Sequence, residues 1–174
     1  MNHDHIRIRE IKPGEVQKIA TTFCFPWSTP EETSAKWTAY AVQHQEVTRT
    51  VFLIEYQEEL IGYGSLLYIS EYPRFKEENI PEIHDVWILE KFRHHGFGKQ
   101  LLFHLEKIAI GKGYSRIGIG VGLYKDYGPA QILYIKLGYI PDGRGIMYNG
   151  SPVTPGEAYP VDDDLNLYLL KTLV

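Results

Sequence analysis

The sequence predicts an α/β layer fold: a mixed, mostly antiparallel sheet of six to seven strands flanked by about four helices. Three observations carry this expectation. Apolar residues alternate with period two in several short runs, among them Ile6 and Ile8, Ile117 to Val121, and Leu165 to Leu169. The period changes to helical at Leu101, Leu102, Leu105, Ile108 and Ala109. Glycine and proline punctuate the boundaries between such runs.

Element by element, a first strand ends at Pro13-Gly14, and a helix follows to about Phe23. Phe25 to Pro30 is loop, and Pro30 starts a second helix that runs from Glu31 to about Gln45. Val51–Tyr56 and Leu60–Ile69 form a hairpin, with Gln57-Glu58-Glu59 as its tight connection. Ile83–Leu89 is a further strand, introduced by the polar stretch Lys76 to Asn79. Gly111 and Gly113 end the amphipathic helix. The next strand is apolar at Ile117, Ile119 and Val121 and bare at Gly118, Gly120 and Gly122, which permits close approach by a helix or a ligand. A short helix covers about Gly128 to Leu137. Pro141 to Pro160 reads as loop around one short strand near Met147, and a closing strand starts at Leu165.

The 174 residues fit one domain, 1–174. With 44% hydrophobic and 23% charged residues, collagen-like and wholly disordered classes fall away. A formal charge of -4 disfavours a nucleic-acid-coating protein. The lone Cys24 makes no internal disulfide, and its place at an apolar helix end predicts a buried packing role. No signal-peptide pattern opens the chain, and no apolar run reaches the ~20 residues that span a bilayer. The expectation is a cytoplasmic protein with neither nucleic acid nor membrane as partner.

The sharpest local feature is Arg93-His94-His95-Gly96-Phe97-Gly98-Lys99, between a strand and the amphipathic helix. Glycines let the chain turn tightly there. The first N–H groups of the helix lack internal acceptors and, with the helix dipole, suit an anion such as a pyrophosphate. A Walker A loop is excluded because Gln100 follows Lys99, and a dinucleotide fingerprint because Leu101 stands where its third glycine belongs. Residues 91–116 carry six bases and one acid, and residues 71–90 six acids and two bases. That pairing suits an anionic cofactor beside a cationic substrate. His94 and His95 diverge as neighbours and find no third ligand at a familiar spacing, so no metal site is expected.

Arg93-x-x-Gly96-x-Gly98 resembles the acyl-CoA signature of the GNAT superfamily of N-acetyltransferases, Gln/Arg-x-x-Gly-x-Gly/Ala. Ala130-Gln131-Ile132-Leu133-Tyr134-Ile135-Lys136-Leu137-Gly138-Tyr139 resembles its second signature, Ala-x-x-Leu-Tyr-x-x-x-Gly-Phe/Tyr. The two occur in the family's order, with the right elements between. The resemblance implies a sheet splayed between strands 4 and 5 and acetyl-CoA as co-substrate. Its pyrophosphate would rest on the amides of His94, His95, Gly96, Phe97, Gly98 and Lys99, in the motif opened by Arg93. Its pantetheine would pair with Val86, Trp87 and Ile88. Ala130 opens the second motif. Tyr127 stands where the family often has an asparagine that contacts the pantetheine. Folds of this kind often pair into homodimers.

Acetylating an amine requires a neutral nitrogen, so a base must take its proton. Glu82 is the candidate: it starts the fourth strand and lies fourteen residues before Gly96, where some members of the family resemble it in carrying a base. Period two places Glu82, His84, Val86 and Ile88 on one face, so His84 is an alternative base or relay and Asp85 faces away, to bind substrate or cap a turn. Tyr134 matches the family's general acid for the departing thiolate, and Tyr127, seven residues earlier, is expected on the same helical face. A main-chain N–H at Val86 or Ile88 would hold the oxyanion. Trp27, Trp37, Tyr40, Tyr68 and Tyr72 are candidates to line an acceptor pocket. The resulting expectation is transfer of acetyl from acetyl-CoA to a primary amine of a small cationic molecule, in a ternary complex. The alternatives are a non-catalytic acyl-CoA sensor module and a protein or peptide N-acetyltransferase.

Overall fold

A computed structural model describes residues 5–174. Its strands are β1 (Ile6–Glu10), β2 (Arg49–Tyr56), β3 (Glu59–Leu67), β4 (Glu82–Ile88), β5 (Arg116–Gly122), β6 (Ile140–Tyr148), β7 (Ser151–Pro152) and β8 (Leu165–Thr172). Its helices are α1 (Val16–Thr22), α2 (Pro30–Gln45), α3 (Pro73–Glu77), α4 (Phe97–Gly111) and α5 (Gly128–Lys136). Among the described residues the strands are hydrogen-bonded in the order β1-β2-β3-β4-β5-β8-β6-β7. β4 and β5 run parallel, and the β1–β2, β2–β3, β5–β8, β6–β8 and β6–β7 ladders are antiparallel. The mixed, mostly antiparallel sheet is therefore as expected, with one strand and one helix more. The extra strand is the two-residue β7, and the extra helix is the short α3, begun by Pro73.

The chain forms two compact units, one of residues up to Leu67 with Asp85–His104, the other of Tyr68–His84 with Leu105–Val174. In the first, the β2–β3 hairpin turns at Gln57 and Glu58, whose φ angles of 51° and 67° are both left-handed, the geometry that matches strand twist in a two-residue loop. α2 opens with a capping box: Glu32 N–H donates to the Thr29 hydroxyl at 3.1 Å, and the Thr29 N–H donates to the Glu32 carboxylate at 2.8 Å. Its buried Trp37 joins Ile11, Ile19, Phe23, Val51, Leu53, Leu60 and Tyr63 in one core cluster. Arg9 ties this unit's edge together, bonding Glu15 at 2.8 Å and Glu55 at 2.9 Å. Cys24 is exposed, against expectation: α1 stops at Thr22, Phe23 takes the inward position, and the following residue turns out.

In the second unit, Ile117, Ile119 and Val121 are buried on one face of β5. The bare glycine face is filled by aromatic rings. A Cβ at Gly118 would strike Phe75, one at Gly120 would meet Tyr168, and one at Gly122 would strike Tyr127. The stripe therefore serves packing. In the same unit, the Tyr139 hydroxyl donates to Glu106 at 2.9 Å, and Lys171 Nζ reaches both oxygens of the same carboxylate at 2.7 and 2.8 Å. That satisfies a buried charge which would otherwise be costly. β6 is longer than the short strand expected near Met147. Its ladder with β8 breaks register between Pro141 and Ile146 and resumes through Tyr148.

Two outcomes follow. Because Phe75 is fully buried and cannot retreat, Gly118→Ala lowers unfolding free energy by about 1–3 kcal/mol in urea titration. The Arg9 guanidinium holds the Glu15 carboxyl below its ordinary value of 4.5. This contribution is present above that value and lost as pH falls through the lowered one. Glu15→Gln removes this component, so its urea midpoint falls less between pH 5 and pH 3 than that of the wild type.

Candidate active site

The N-terminal half of β4 sits in the second unit. Glu82 and Ile83 pair with Gly118 and Ile119 of β5. Glu82 is 6% exposed, and its Oε2 accepts from the Ser70 hydroxyl at 2.5 Å. Ser70 Oγ in turn accepts from the Tyr72 N–H at 3.0 Å, so a chain of two bonds fixes the carboxylate's orientation. Tyr168 is held protonated first by burial and then by the negative charge of Glu82. Ser70 was missed by sequence reasoning. It follows the hairpin in an irregular segment, and no motif singles it out. His84 is half-buried on the same strand.

At Asp85 the alternation of β4 is broken by a φ of 54°. The single face expected for Glu82, His84, Val86 and Ile88 is therefore interrupted. Aspartate is among the residues that best tolerate this region. Asp85 caps no turn. Its Oδ2 accepts from the Tyr40 hydroxyl at 3.0 Å, its Oδ1 from the Tyr63 hydroxyl at 3.4 Å, and Lys36 Nζ stands 2.5 Å from Oδ2. Burial, and next the charge of Asp85, push both phenols well above the ordinary tyrosine value.

Trp87 lies against Phe25 and Trp27, with ring centroids at 4.7 and 5.5 Å. Phe25 stacks on Trp27 at 4.8 Å, leaving Trp27 67% exposed. The Trp87 carbonyl and the Ile88 side chain press on Gly62, where no Cβ would fit. Of the aromatic residues expected to line an acceptor pocket, Tyr40 and Trp27 stand beside these two strand positions within the first unit. Trp37 is core. Tyr68 stacks with Tyr114, and Tyr72 on Tyr168 at 3.8 Å, in the second unit.

The glycine turn follows in the first unit. Arg93 Nε donates to the Ile88 carbonyl at 3.0 Å, and its guanidinium lies 4.6 Å from the Trp87 ring centre. His94 (φ 63°) and Gly96 (φ 83°) are both left-handed. α4 begins immediately after, with Gln100 N–H donating to the Gly96 carbonyl at 3.1 Å. The opening amides of α4 have no acceptor within the helix, and its dipole adds positive potential. Phe97 anchors the turn by burying its ring beside Tyr56 and Phe92. Lys99 carries its ammonium 5.4 Å from the Phe103 ring. This backbone fits a diphosphate. Among the described residues no group of three or more His, Cys, Asp or Glu could hold a metal ion.

On the second motif, Tyr127 does not share a helical face with Tyr134. It ends a 3-10 turn (Lys125–Tyr127) and stands outside α5 as its N-cap. Its hydroxyl donates to Asp163 at 2.9 Å, beside that of Tyr124 at 2.5 Å on the same oxygen, and its ring covers Gly122. Ala130, half-buried, lies in the first turn of α5. Tyr134 is buried with its ring 6.1 Å from that of Tyr139. Burial alone pushes its phenol up. The hydroxyl makes no hydrogen bond to a described residue, and it is not among the sealed-off polar atoms.

The Acetyltransferase (GNAT) family model matches residues 16–139, and the chain belongs to that family. No curated protein matches it in sequence. Solved structures share the fold at low identity. An N-acetyltransferase from Staphylococcus aureus is 19% identical with a TM-score of 0.70, covering 97% of this chain and 99% of that one. A spermidine/spermine N-acetyltransferase from Vibrio cholerae is 15% identical with a TM-score of 0.69, covering 98% and 94%. A ribosomal L7/L12 alpha-N-protein acetyltransferase in complex with coenzyme A is 16% identical with a TM-score of 0.70, covering 98% and 95%.

Gly96→Ala tests the turn. A Cβ there meets nothing within 4 Å, so its cost is the left-handed backbone alone. Denaturant titration should show a loss of about 1–2 kcal/mol.

Proposed function

We propose that the protein transfers acetyl from acetyl-CoA to a primary amine of a small cationic molecule, by direct attack in a ternary complex. The observation that carries this reading is the left-handed turn at Gly96 opening straight into α4, in a chain of a family of acetyltransferases. The amides from His94 to Lys99 take the diphosphate, with Arg93 stacked over the Trp87 ring, and Val86, Trp87 and Ile88 take the pantetheine as an added strand. Glu82, oriented by Ser70, accepts the proton of the acceptor ammonium, with His84 as its relay. The freed nitrogen pair attacks the thioester carbonyl carbon, and an N–H of Val86 or Ile88 holds the resulting oxyanion. The C–S bond breaks, Tyr134 protonates the departing sulfur, and the nitrogen releases its second proton to solvent, from which the phenolate is reprotonated. A phenol raised by burial stays protonated at neutral pH, as a general acid must.

The small-molecule acceptor is supported by the acidic balance of the chain and by the fold shared with the spermidine/spermine enzyme. A protein α-amino group is the second reading, favoured by the fold shared with the L7/L12 enzyme. Free-thiol release across a panel of amines and short peptides decides between them. If no acceptor in the panel releases thiol while coenzyme A binds, the chain is an acyl-CoA-binding module instead.

Tyr134→Phe is expected to lower kcat about 10²-fold, the low end of general acid–base effects, while calorimetry finds acetyl-CoA affinity unchanged. In the wild type, the kcat profile shows no alkaline fall from this group up to about pH 10, the ordinary value of a tyrosine.

A further inference from the structure

The carboxylate of Asp85 already holds an alkylammonium, that of Lys36. The Lys36 Nζ stands 2.5 Å from Asp85 Oδ2 and donates to the Tyr63 hydroxyl at 3.2 Å. It lies 5.7, 5.6 and 5.2 Å from the ring centres of Trp37, Tyr40 and Tyr63. One carboxylate, one phenol oxygen and three aromatic rings make a complete receptor for R–NH3+. All of these groups belong to the first compact unit.

Resting on the reading of the protein as an amine acetyltransferase, we infer that Asp85, Tyr40, Tyr63 and Trp37 form the seat of a second, unreacting ammonium group of the acceptor, and that Lys36 occupies it as an internal competitor. The seat takes what it now holds: a primary ammonium at the end of an unbranched methylene chain. Three observations carry this beyond a structural ion pair. Asp85 is the residue directly before Val86 to Ile88, the strand proposed to receive the acetyl donor. Its left-handed backbone aims the carboxylate into the rings at a point where a regular strand would not, and such departures cluster at functional sites. The Lys36 side chain is 36% exposed, so it can swing into solvent while α2 stays capped by Thr29 and Glu32. Tyr40 still ties α2 to Asp85 when it does. The neighbouring Arg49 cannot replace it: its Nε donates to Gln43 at 2.7 Å and its Nη1 to Ser65 at 2.6 Å.

The test is calorimetric titration of the full chain with 1,5-diaminopentane, without acetyl-CoA, so that it reads the seat and not turnover. Lys36→Met keeps the apolar stem and removes the competitor, and is expected to bind the diamine about tenfold more tightly than the wild type. Adding Asp85→Asn to Lys36→Met should abolish that gain, and uncharged 1-pentanol should show no gain in either. Equal diamine affinity in wild type and Lys36→Met overturns the inference. So does undiminished affinity in the double variant. If the double variant does not fold by circular dichroism, Tyr40→Phe in the Lys36→Met background takes its place, with loss of most of the gain expected and an unchanged gain counting against the seat. Acetylation of Lys36 itself, seen by mass spectrometry after incubation with acetyl-CoA, would make it an acceptor and also overturn its role as competitor. Failure of the acetyltransferase reading shows differently: no thiol release from any amine, whatever the diamine affinities.

Discussion

At Asp85 the backbone of β4 passes through φ 54° in the middle of a strand. A side chain that regular pleating would send one way is delivered instead to Lys36, Tyr40 and Tyr63. The residues just before it, Glu82 and Ile83, remain in ordinary parallel register with β5. Those after it, Trp87 and Ile88, crowd so closely onto β3 that only glycine is tolerated at position 62. One strained residue thus separates a carboxylate buried among hydrogen bonds from a carboxylate held among aromatic rings. The two acids can then have different chemistry although three positions apart.

The tyrosines follow the same logic of division. Burial raises Tyr134, Tyr139, Tyr40 and Tyr63 alike. Three of the four give their hydroxyls to a carboxylate, at Glu106 or Asp85. Tyr134 does not: its hydroxyl is given to no carboxylate among the described residues. Tyr127 shows the contrast, since its hydroxyl belongs to Asp163 and its ring to the space over Gly122.

What the sequence discloses is local. Pro30 marks a helix start, the period over Leu101 to Ala109 spells an amphipathic helix, and Arg93 to Lys99 spells a tight glycine turn into that helix. Each signal lies within a few residues, and each has its counterpart in the structure. What it hides depends on pairings between distant segments. Lys36, Tyr40, Tyr63 and Asp85 are scattered over fifty residues, and nothing in their spacing brings them together. Ser70 is visible only once Glu82 is seen to accept from it. A left-handed aspartate cannot be read from Ile83-His84-Asp85-Val86, so period two misassigned the faces. β6 reads as loop because its glycines and Pro141 sit at a register break between two well-paired ends. Cys24 lies two residues past the end of α1, and Tyr127 one residue before the start of α5.

Trp87 has one more consequence. Its indole nitrogen is buried and, among the described residues, has no hydrogen-bond partner, while Trp27 beside it is largely open to solvent. An indole with no polar relaxation around it emits at short wavelength, and a wetted one emits at long wavelength. Set between the glycine turn and the aspartate of β4, the pair gives the molecule an intrinsic fluorescent reporter whose colour tracks events on that strand without any added label.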